Sequence, residues 1–258
     1  MGRLNKYYLS LPEEDRLLIS HLLDMIEICE KSYLPRFSYF LNEHEVLLAQ
    51  SVMEEQRCEA YKLYGGYEEA SRKILGIFPP YWEDAYSFPI SALSIKYREA
   101  DKLSHRDFLG VFMSKQIKRD RLGDIIIESG KAVAFVHDSI KDTLFFEISK
   151  IGSVGVRITE DKNPVIHAEK NFVEKIGTVS SLRLDSIVGM ATGISREKSA
   201  MLIKGGNVSV MYSVEMSASR QLSEGDIFSV RGHGKFILYS VNGRTKKDRI
   251  HITVKKYN

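Results

Sequence analysis

Two stretches near the C-terminus decide the fold: LRLDSIVGMATGISREKSAMLIKGGNVSV, residues 182–210, and SEGDIFSVRGHGKF, residues 223–236. In the first, apolar residues recur at the i, i+3, i+4 and i+7 spacing of one helix face: Leu184, Ile187, Val188 and Ala191. The pattern predicts a short helix that leaves three polar side chains pointing away from the core, those of Arg183, Asp185 and Ser186.

A second short helix is predicted directly after the first. Ser195 is a good N-cap, and a buried stripe follows it at Ser199, Leu202 and Ile203. Arg196 and Lys204 lie two turns apart on another face, and Gly206 ends the helix. The helix N-terminus at Ser195 offers backbone donors, so the two helices together present an electropositive surface suited to phosphate oxygens.

Strands are predicted after these helices. The segments NVSVMYSVEM and GDIFSVRGHGKF read as strands of a small sheet, and Arg231 and Lys235 are expected to extend the basic face. Gly232 and Gly234 indicate a tight turn and not a nucleotide-binding loop, because no helix follows them. The basic tail from Arg244 to Lys256 is expected to add an edge strand that also contacts phosphates.

Positive charge is concentrated in this C-terminal segment. Residues 182–258 hold 13 Lys and Arg against 6 Asp and Glu, a net charge of +7, whereas the remainder holds 24 against 28. Such asymmetry indicates a polyanionic partner for the C-terminal segment. A solvated basic surface without a partner is the alternative, and charge alone does not separate the two.

The predicted fold class is α+β. We expect a helical N-terminal domain over residues 1–75, a ferredoxin/RRM-like βαββαβ domain over 76–170, a linker over 171–181, and a C-terminal module with a basic extension over 182–258. In the first domain, one helix starts near Pro12. A second starts at Asn42, with Glu45 completing a capping-box pattern, and ends at Gly65-Gly66.

The middle segment changes to the βαββαβ pattern at about residue 88. Ser104 and Asp107 are expected to cap its first helix, and Asp138 or Ser139 its second. Its central strands, GDIIIES and KAVAFVH, carry no paired exposed aromatics that would stack bases. The run KQIKRDR, residues 115–121, fits either a phosphate-facing patch or a solvated helix end, and both interpretations stay open.

Several functional classes are disfavoured by the composition. No apolar stretch approaches the roughly 18 residues that span a bilayer, and the N-terminus lacks a signal-peptide core, so a cytoplasmic protein is expected. We also expect a monomer. Cys29 and Cys58 have no CxxC partner and the histidines have no ligand spacing, so we expect packing cysteines and no metal. Without a phosphate-binding loop or catalytic motif, neither a cofactor nor enzymatic activity is expected.

The C-terminal motifs resemble those of an S4 (αL-type) RNA-binding domain. The resemblance rests on Arg183-Leu184-Asp185, Ser195-Arg196, Leu202-Ile203-Lys204, Gly206, Val208, Val210 and Gly225-Asp226, in order and spacing. Together with TVSSLRLD, SVRGHGKF, GRTKKDR and SHRDFLGVFMSKQIKRDRLGDI, these motifs resemble the YlmH family of bacterial S4-domain proteins over nearly the whole chain. Met211-Tyr212 replaces the usual Asn-Gly of the first hairpin, so a different turn chemistry is expected.

The resemblance implies a non-enzymatic RNA binder on the large ribosomal subunit, acting on stalled peptidyl-tRNA complexes in ribosome-associated quality control. It implies contact with rRNA or tRNA through a basic surface that includes Ser195 and the cations Arg183, Arg196, Lys198, Lys204, Arg231 and Lys235. Asp185 is expected to orient a neighbouring arginine and not to act as a catalytic acid. The alternative function is a cell-division adaptor that binds RNA only incidentally.

Overall fold

The structure is a computed structural model that describes residues 11–80, 87–166 and 172–257. The chain divides into two compact units, Met1–Ala168 and Glu169–Asn258. Helices and strands are both abundant in each unit, so the predicted α+β class is confirmed. The first unit contains both the segment predicted to be helical and the segment predicted to be βαββαβ.

Over residues 11–80, the N-terminal part of the first unit contains two helices and a three-stranded sheet. Its elements are α1 (Glu13–Ser32), β1 (Arg36–Leu41), α2 (Glu43–Glu55), β2 (Tyr61–Tyr64) and β3 (Lys73–Ile77). The strands are antiparallel in the order β1-β3-β2. The prediction of helices alone over 1–75 missed this sheet, because its strands are only four to six residues long and β2 shows no apolar alternation.

The boundaries of α2 test the capping signals directly. Asn42 caps α2 as predicted: its side chain accepts a hydrogen bond from the Glu45 amide at 3.0 Å, and the Glu45 carboxylate accepts from the Asn42 amide at 2.6 Å. The predicted end at Gly65-Gly66 is wrong, because α2 ends at Glu55. Gly66 instead has φ of +101° and passes so close to the Phe135 ring that a Cβ would lie 2.2 Å from it.

The middle segment has the predicted order of elements. These are β4 (Ile90–Lys96), α3 (His105–Ser114), a 3-10 turn (Arg119–Arg121), β5 (Leu122–Glu128), β6 (Lys131–His137), α4 (Asp138–Glu147), the short hairpin β7 (Lys150–Ile151) and β8 (Val154–Gly155), and β9 (Arg157–Glu160). The antiparallel sheet has the order β5-β6-β4-β9. Asp107 caps α3 as predicted, but His137 and not Asp138 or Ser139 is the N-cap of α4, because its Nδ1 accepts from the Ser139 amide.

Both faces of the middle sheet are covered. One face packs on the helices through Leu93, Ala134 and Val136, together with Phe108 of α3 and Leu144 of α4. The other face packs on the N-terminal part of the unit, in a cluster that contains Phe40, Ile74, Phe78, Phe88, Ala92, Val133 and Phe135. The sheet face that RNA-recognition domains use for stacking bases is therefore filled by protein here.

A polar cluster joins the N-terminal part to the middle sheet within this unit. The Asp124 carboxylate accepts hydrogen bonds from the Tyr67 hydroxyl at 2.9 Å and from the backbone amides of Ser71 and Arg72. The Arg72 guanidinium donates to the carbonyl oxygens of Phe40 and Leu122. Since these groups are largely withdrawn from water, the cluster fixes how the two sheets pack.

Across its described residues, 172–257, the second unit is a six-stranded antiparallel sheet with two helices. Its elements are β10 (Phe172–Val179), α5 (Leu184–Thr192), α6 (Arg196–Lys204), β11 (Val208–Val210), β12 (Ser213–Val214), β13 (Ile227–Val230), β14 (Gly234–Arg244) and β15 (Ile250–Tyr257). The strand order is β10-β15-β14-β13-β11-β12. Most of the predicted linker 171–181 is therefore the strand β10. Because β10 pairs with β15 along its length, β15 is an inner strand and not the expected edge strand.

The helices cover one face of this sheet. Leu184, Ile187, Val188 and Ala191 are fully buried, as their spacing predicted, against inward-facing residues such as Phe236, Leu238 and Val254. Ser199 is also fully buried, and its hydroxyl donates to the Ser195 carbonyl oxygen at 3.0 Å. The two helices and the sheet thus share one core in the second unit.

The hairpin between β11 and β12 differs from the expectation. Met211 and Tyr212 both have positive φ, 47° and 68°. A two-residue type I′ turn needs positive φ at both central positions, so this turn has the backbone signature of Asn-Gly without those residues. Left-handed backbone costs roughly 1–2 kcal/mol for each residue with a side chain, so the turn holds strain.

Among the described residues, no helix is long and apolar enough to cross a membrane. Within the same residues, no cluster of three or more His, Cys, Asp or Glu side chains has the geometry to hold a metal ion. The prediction of no signal peptide used residues 1–10, and the prediction of no metal site used His167 among the histidines. These residues lie outside the described part of the chain.

Candidate nucleic-acid interface

The start of α5 brings two arginines onto one carboxylate. Arg183 donates to both oxygens of Asp185, from Nε at 3.3 Å and from Nη2 at 2.9 Å. From the next helix, the Arg196 Nε lies 3.2 Å from Asp185 Oδ2. The Ser186 hydroxyl donates to the other oxygen at 3.2 Å. We call the three charged residues the arginine fork.

The carboxylate of the fork is buried while its arginines reach solvent. The side chain of Asp185 is 6% exposed, against 33% for Arg183 and 54% for Arg196. Burial raises the pKa of Asp185, but the hydrogen bonds from the two arginines outweigh this effect and hold its pKa below the ordinary value. The fork therefore stays ionised at neutral pH and carries a net charge of +1.

Backbone contacts hold the fork in place. The Leu184 amide donates to the Arg220 carbonyl oxygen at 2.8 Å, and the Asp185 amide to the Ala218 carbonyl oxygen at 3.1 Å. These bonds attach the first turn of α5 to the chain that precedes β13. A guanidinium has five N–H donors, and the fork engages two of Arg183 and one of Arg196, so both arginines retain donors for an anion.

The N-terminus of α6 lies beside the fork through Arg196, its first residue. The Ser195 hydroxyl caps this helix as predicted, accepting from the Lys198 amide at 3.3 Å. Glu197 in the first turn adds a negative charge, which weakens the attraction of this helix end for a phosphate. The exposed side chain of Arg196, more than the helix end by itself, is therefore the group available to an anion there.

The remaining predicted cations divide between two places. Lys198 and Lys204 are exposed on α6. Arg231 is exposed as well, and its amide donates to the Asn207 carbonyl oxygen at 2.9 Å, close to the C-terminal end of that helix. Lys235 does not extend this face: it precedes Phe236, which points into the core, so its side chain projects from the opposite side of the sheet.

The surroundings of Lys235 are aromatic. Its Nζ lies 4.6 Å from the centre of the Tyr257 ring and 5.1 Å from that of Tyr212. Burial lowers the pKa of Lys235 to about 8 and raises that of Tyr212 to about 12. Sequence reasoning missed both aromatic contacts: alternation along β14 and β15 would have placed Tyr257 on the face of Lys235 if the strands had been aligned, whereas Tyr212 lies in the β11–β12 turn, outside that alternation.

The basic run 115–121 of the first unit is mostly engaged within the protein. Lys115 pairs with Glu147 at 3.3 Å, and Arg121 stacks on the Tyr39 ring at 3.3 Å. Arg119 donates to the Leu122 carbonyl oxygen at 2.6 Å, and burial together with the nearby Arg72 charge lowers its pKa to about 10. These contacts favour a structural role for most of the run, while Lys118 remains exposed.

Comparison with known proteins identifies the family. Residues 83–164 match the family described as "Putative RNA-binding domain in YlmH". The chain is similar to the ribosome-associated protein quality control protein P2 of Bacillus subtilis (strain 168), with 30% identity over 98% of this chain and 99% of that protein. It resembles in fold the cell division protein ylmH from Streptococcus pneumoniae, with a TM-score of 0.51 at 22% identity, over 58% of this chain and 93% of that one. With this identity over nearly its full length, the chain belongs to the YlmH family.

Proposed function

We propose that this protein is a non-enzymatic RNA-binding protein whose second unit acts as an S4 domain. Its arginine fork and neighbouring cations bind structured rRNA or tRNA on the large ribosomal subunit, in the cytoplasm. The cellular role that fits this binding is ribosome-associated quality control of stalled peptidyl-tRNA complexes. The name of the Bacillus relative, a ribosome-associated quality control protein, supports this role.

The arginine fork is the observation that carries the proposal. Two guanidinium groups from adjacent helices share one buried carboxylate, which fixes their planes while each stays partly exposed. Guanidinium groups held in this way can each give two parallel hydrogen bonds to a phosphate oxygen pair. The net charge of +7 over residues 182–258 adds a long-range attraction for RNA.

RNA binding by the fork is tested with the Arg183→Ala/Arg196→Ala double variant. Binding of a labelled RNA hairpin is followed by fluorescence anisotropy at about 50 and about 200 mM salt, because phosphate contacts weaken steeply with salt. We expect the double variant to bind about 10- to 100-fold more weakly at low salt. The dependence of its log affinity on log salt should become shallower by about 2 units, one for each lost phosphate contact.

The matched control is Lys31→Ala/Lys62→Ala, which removes two exposed cations of the first unit outside the matched family region. This control should bind the hairpin as the wild type does. If both double variants weaken binding equally, or neither does, the fork does not make the contact. Hairpin binding by the wild type that ignores salt would favour the adaptor function, since an apolar protein interface responds little to salt.

A further inference from the structure

Aromatic rings and lysines alternate across the sheet face of the second unit that points away from the helices. Lys255 Nζ lies 3.3 Å from the centre of the Tyr239 ring and 5.6 Å from that of Phe172. Phe172 packs edge-on against Tyr257 with ring centres 5.0 Å apart, and Lys235 lies between Tyr257 and Tyr212. We call these six residues the aromatic–lysine row.

Strand register, together with the contacts of Tyr239 with Lys255 and of Tyr212 with Lys235, places the row on a single face. Phe172 of β10 pairs with Tyr257 of β15, and Lys255 of β15 pairs with Ile237 of β14. The residues between them along each strand, such as Val254 and Phe236, are buried in the core under α5 and α6. Because side chains alternate across a strand, the row lies on the opposite face from the arginine fork.

The row is accessible at one end and strained at the other. Tyr239 is 54% exposed although Lys255 covers one side of its ring, and Ile176 on the neighbouring edge strand is 75% exposed. Tyr212 occupies a left-handed position where glycine would fit at no cost. Strain of this kind persists only where the surrounding structure holds it in place, and here it keeps a ring beside Lys235.

The chemistry of the row matches a nucleotide chain. The exposed Tyr239 ring offers a stacking surface to any base, the other three rings are half-buried beside it, and the lysines lie between the rings, where successive phosphates would follow. Within the described strands, the Glu174 carboxylate also lies beside the row, at 3.2 Å from Lys255 Nζ. Partial burial holds the pKa of Lys235 at about 8, so a phosphate beside it would favour its charged form.

We propose that the aromatic–lysine row is a second RNA site, which stacks unpaired bases of a single-stranded segment on Tyr239 and its neighbouring rings while Lys235 and Lys255 contact the phosphates. This site rests on the proposed RNA-binding function and extends it, since the fork binds structured RNA and the row binds unpaired nucleotides. One RNA that presents both a helix and a single strand would then engage both faces of the second unit.

The test uses the full-length protein and two RNA probes. The first is a ten-nucleotide oligoadenylate with 2-aminopurine at its centre, and the second is a blunt RNA hairpin closed by a short loop. Tyr239→Ala should bind the oligoadenylate about 5- to 100-fold more weakly, the range expected for loss of one stacked base. Its affinity for the hairpin should stay within about twofold of the wild type, because the fork is unchanged.

Two controls separate stacking from charge and from misfolding. Tyr239→Phe keeps the ring and should bind the oligoadenylate like the wild type, with the same quenching of 2-aminopurine fluorescence on binding. Arg183→Ala/Arg196→Ala should lose the hairpin and retain that quenching. Wild-type affinity and quenching for Tyr239→Ala would overturn the second site while leaving the proposed function standing. If the wild-type protein itself does not bind the hairpin, the proposed function is wrong.

Discussion

At the scale of single residues, Asp185 holds the arrangement on which the proposed RNA binding depends. Its carboxylate accepts from two arginines and one hydroxyl, so it positions the guanidinium groups and opposes their charge at the same time. These two effects predict opposite outcomes when the charge is removed. If Asp185 merely repels RNA, its neutralisation strengthens binding; if it orients the arginines, neutralisation weakens binding.

We predict that Asp185→Asn weakens hairpin binding although it makes the protein more positive. The amide keeps the volume but accepts less strongly and leaves the arginines without a common partner, so stability should also fall by about 1–3 kcal/mol. Anisotropy titration measures the first effect and urea unfolding the second. Ser186→Ala, which removes only a hydroxyl contact to the same carboxylate, should change binding much less.

A second residue makes stability depend on pH. His137 caps α4 through Nδ1, which accepts from the Ser139 amide at 3.1 Å. Burial, followed by the nearby Arg121 charge, lowers its pKa below the ordinary value. Since the unfolded chain takes up a proton at a pKa near 6.5 and the folded chain resists it, the stability from this group is complete above about pH 6.5 and declines as pH falls toward the folded pKa.

His137→Asn provides the comparison, because asparagine is an N-cap acceptor that does not titrate. Between pH 7.5 and pH 5.5, chosen to bracket a pKa of about 6.5, the wild type should lose more of its free energy of unfolding than the variant does. Urea unfolding at several pH values measures the difference. Parallel pH profiles for the two proteins would show that this histidine titrates freely in the folded state.

At the scale of elements, local patterns were readable and long-range pairings were not. The apolar stripe of α5 and the N-terminal caps of α2 and α6 each depend on residues only a few positions apart in the sequence, and each of these predictions was confirmed, whereas the predicted end of α2 was wrong. The strand β10 was assigned to a linker because its partner β15 lies more than 70 residues away and its outward side chains are polar or isolated. Lys235 was assigned to the wrong face because the alternation of side chains along β14, in which Phe236 points into the core, was not applied to it.

The β11–β12 turn gives an element-scale prediction. Met211→Asn/Tyr212→Gly supplies the residues that positive φ favours, so the free energy of unfolding should rise by about 1–2 kcal/mol in urea titrations. The same variant lacks the Tyr212 ring and should bind single-stranded RNA less tightly than the wild type does. A variant that is no more stable than the wild type would mean that contacts of Met211 and Tyr212 compensate for the strain, such as the bond from the Ile227 amide to the Met211 sulfur at 3.5 Å.

At the scale of the whole molecule, the two units differ in how much surface they leave for RNA. In the first unit, the β-sheet face that RNA-recognition domains expose is buried against the N-terminal sheet, with Phe135 only 1% exposed. The RNA-binding assignment of residues 83–164 must therefore rest on other surfaces of that unit. The second unit leaves the arginines of its fork and the Tyr239 end of its aromatic–lysine row accessible, and the net charge of its sequence segment is strongly positive.

Charge asymmetry and motif order were enough to predict the family and the C-terminal basic surface. They could not predict that Asp185 is shared by two arginines, because Arg183 and Arg196 meet only when α5 and α6 pack. Nor could they show that most of the 115–121 run is engaged, since its partners Tyr39 and Glu147 come from distant segments. Tertiary contacts decide which cations remain available for RNA.

Co-sedimentation with ribosomes from the protein's own cells tests the central claim most directly. Wild-type protein, Arg183→Ala/Arg196→Ala and Lys31→Ala/Lys62→Ala are compared on sucrose gradients at low and high salt. At low salt, we predict that the wild type and the lysine control travel with the large subunit and that the arginine variant stays at the top of the gradient. At high salt, all three proteins should stay at the top. Wild-type protein that stays at the top under both conditions, or an arginine variant that still travels with the large subunit, would contradict ribosome binding through the arginine fork.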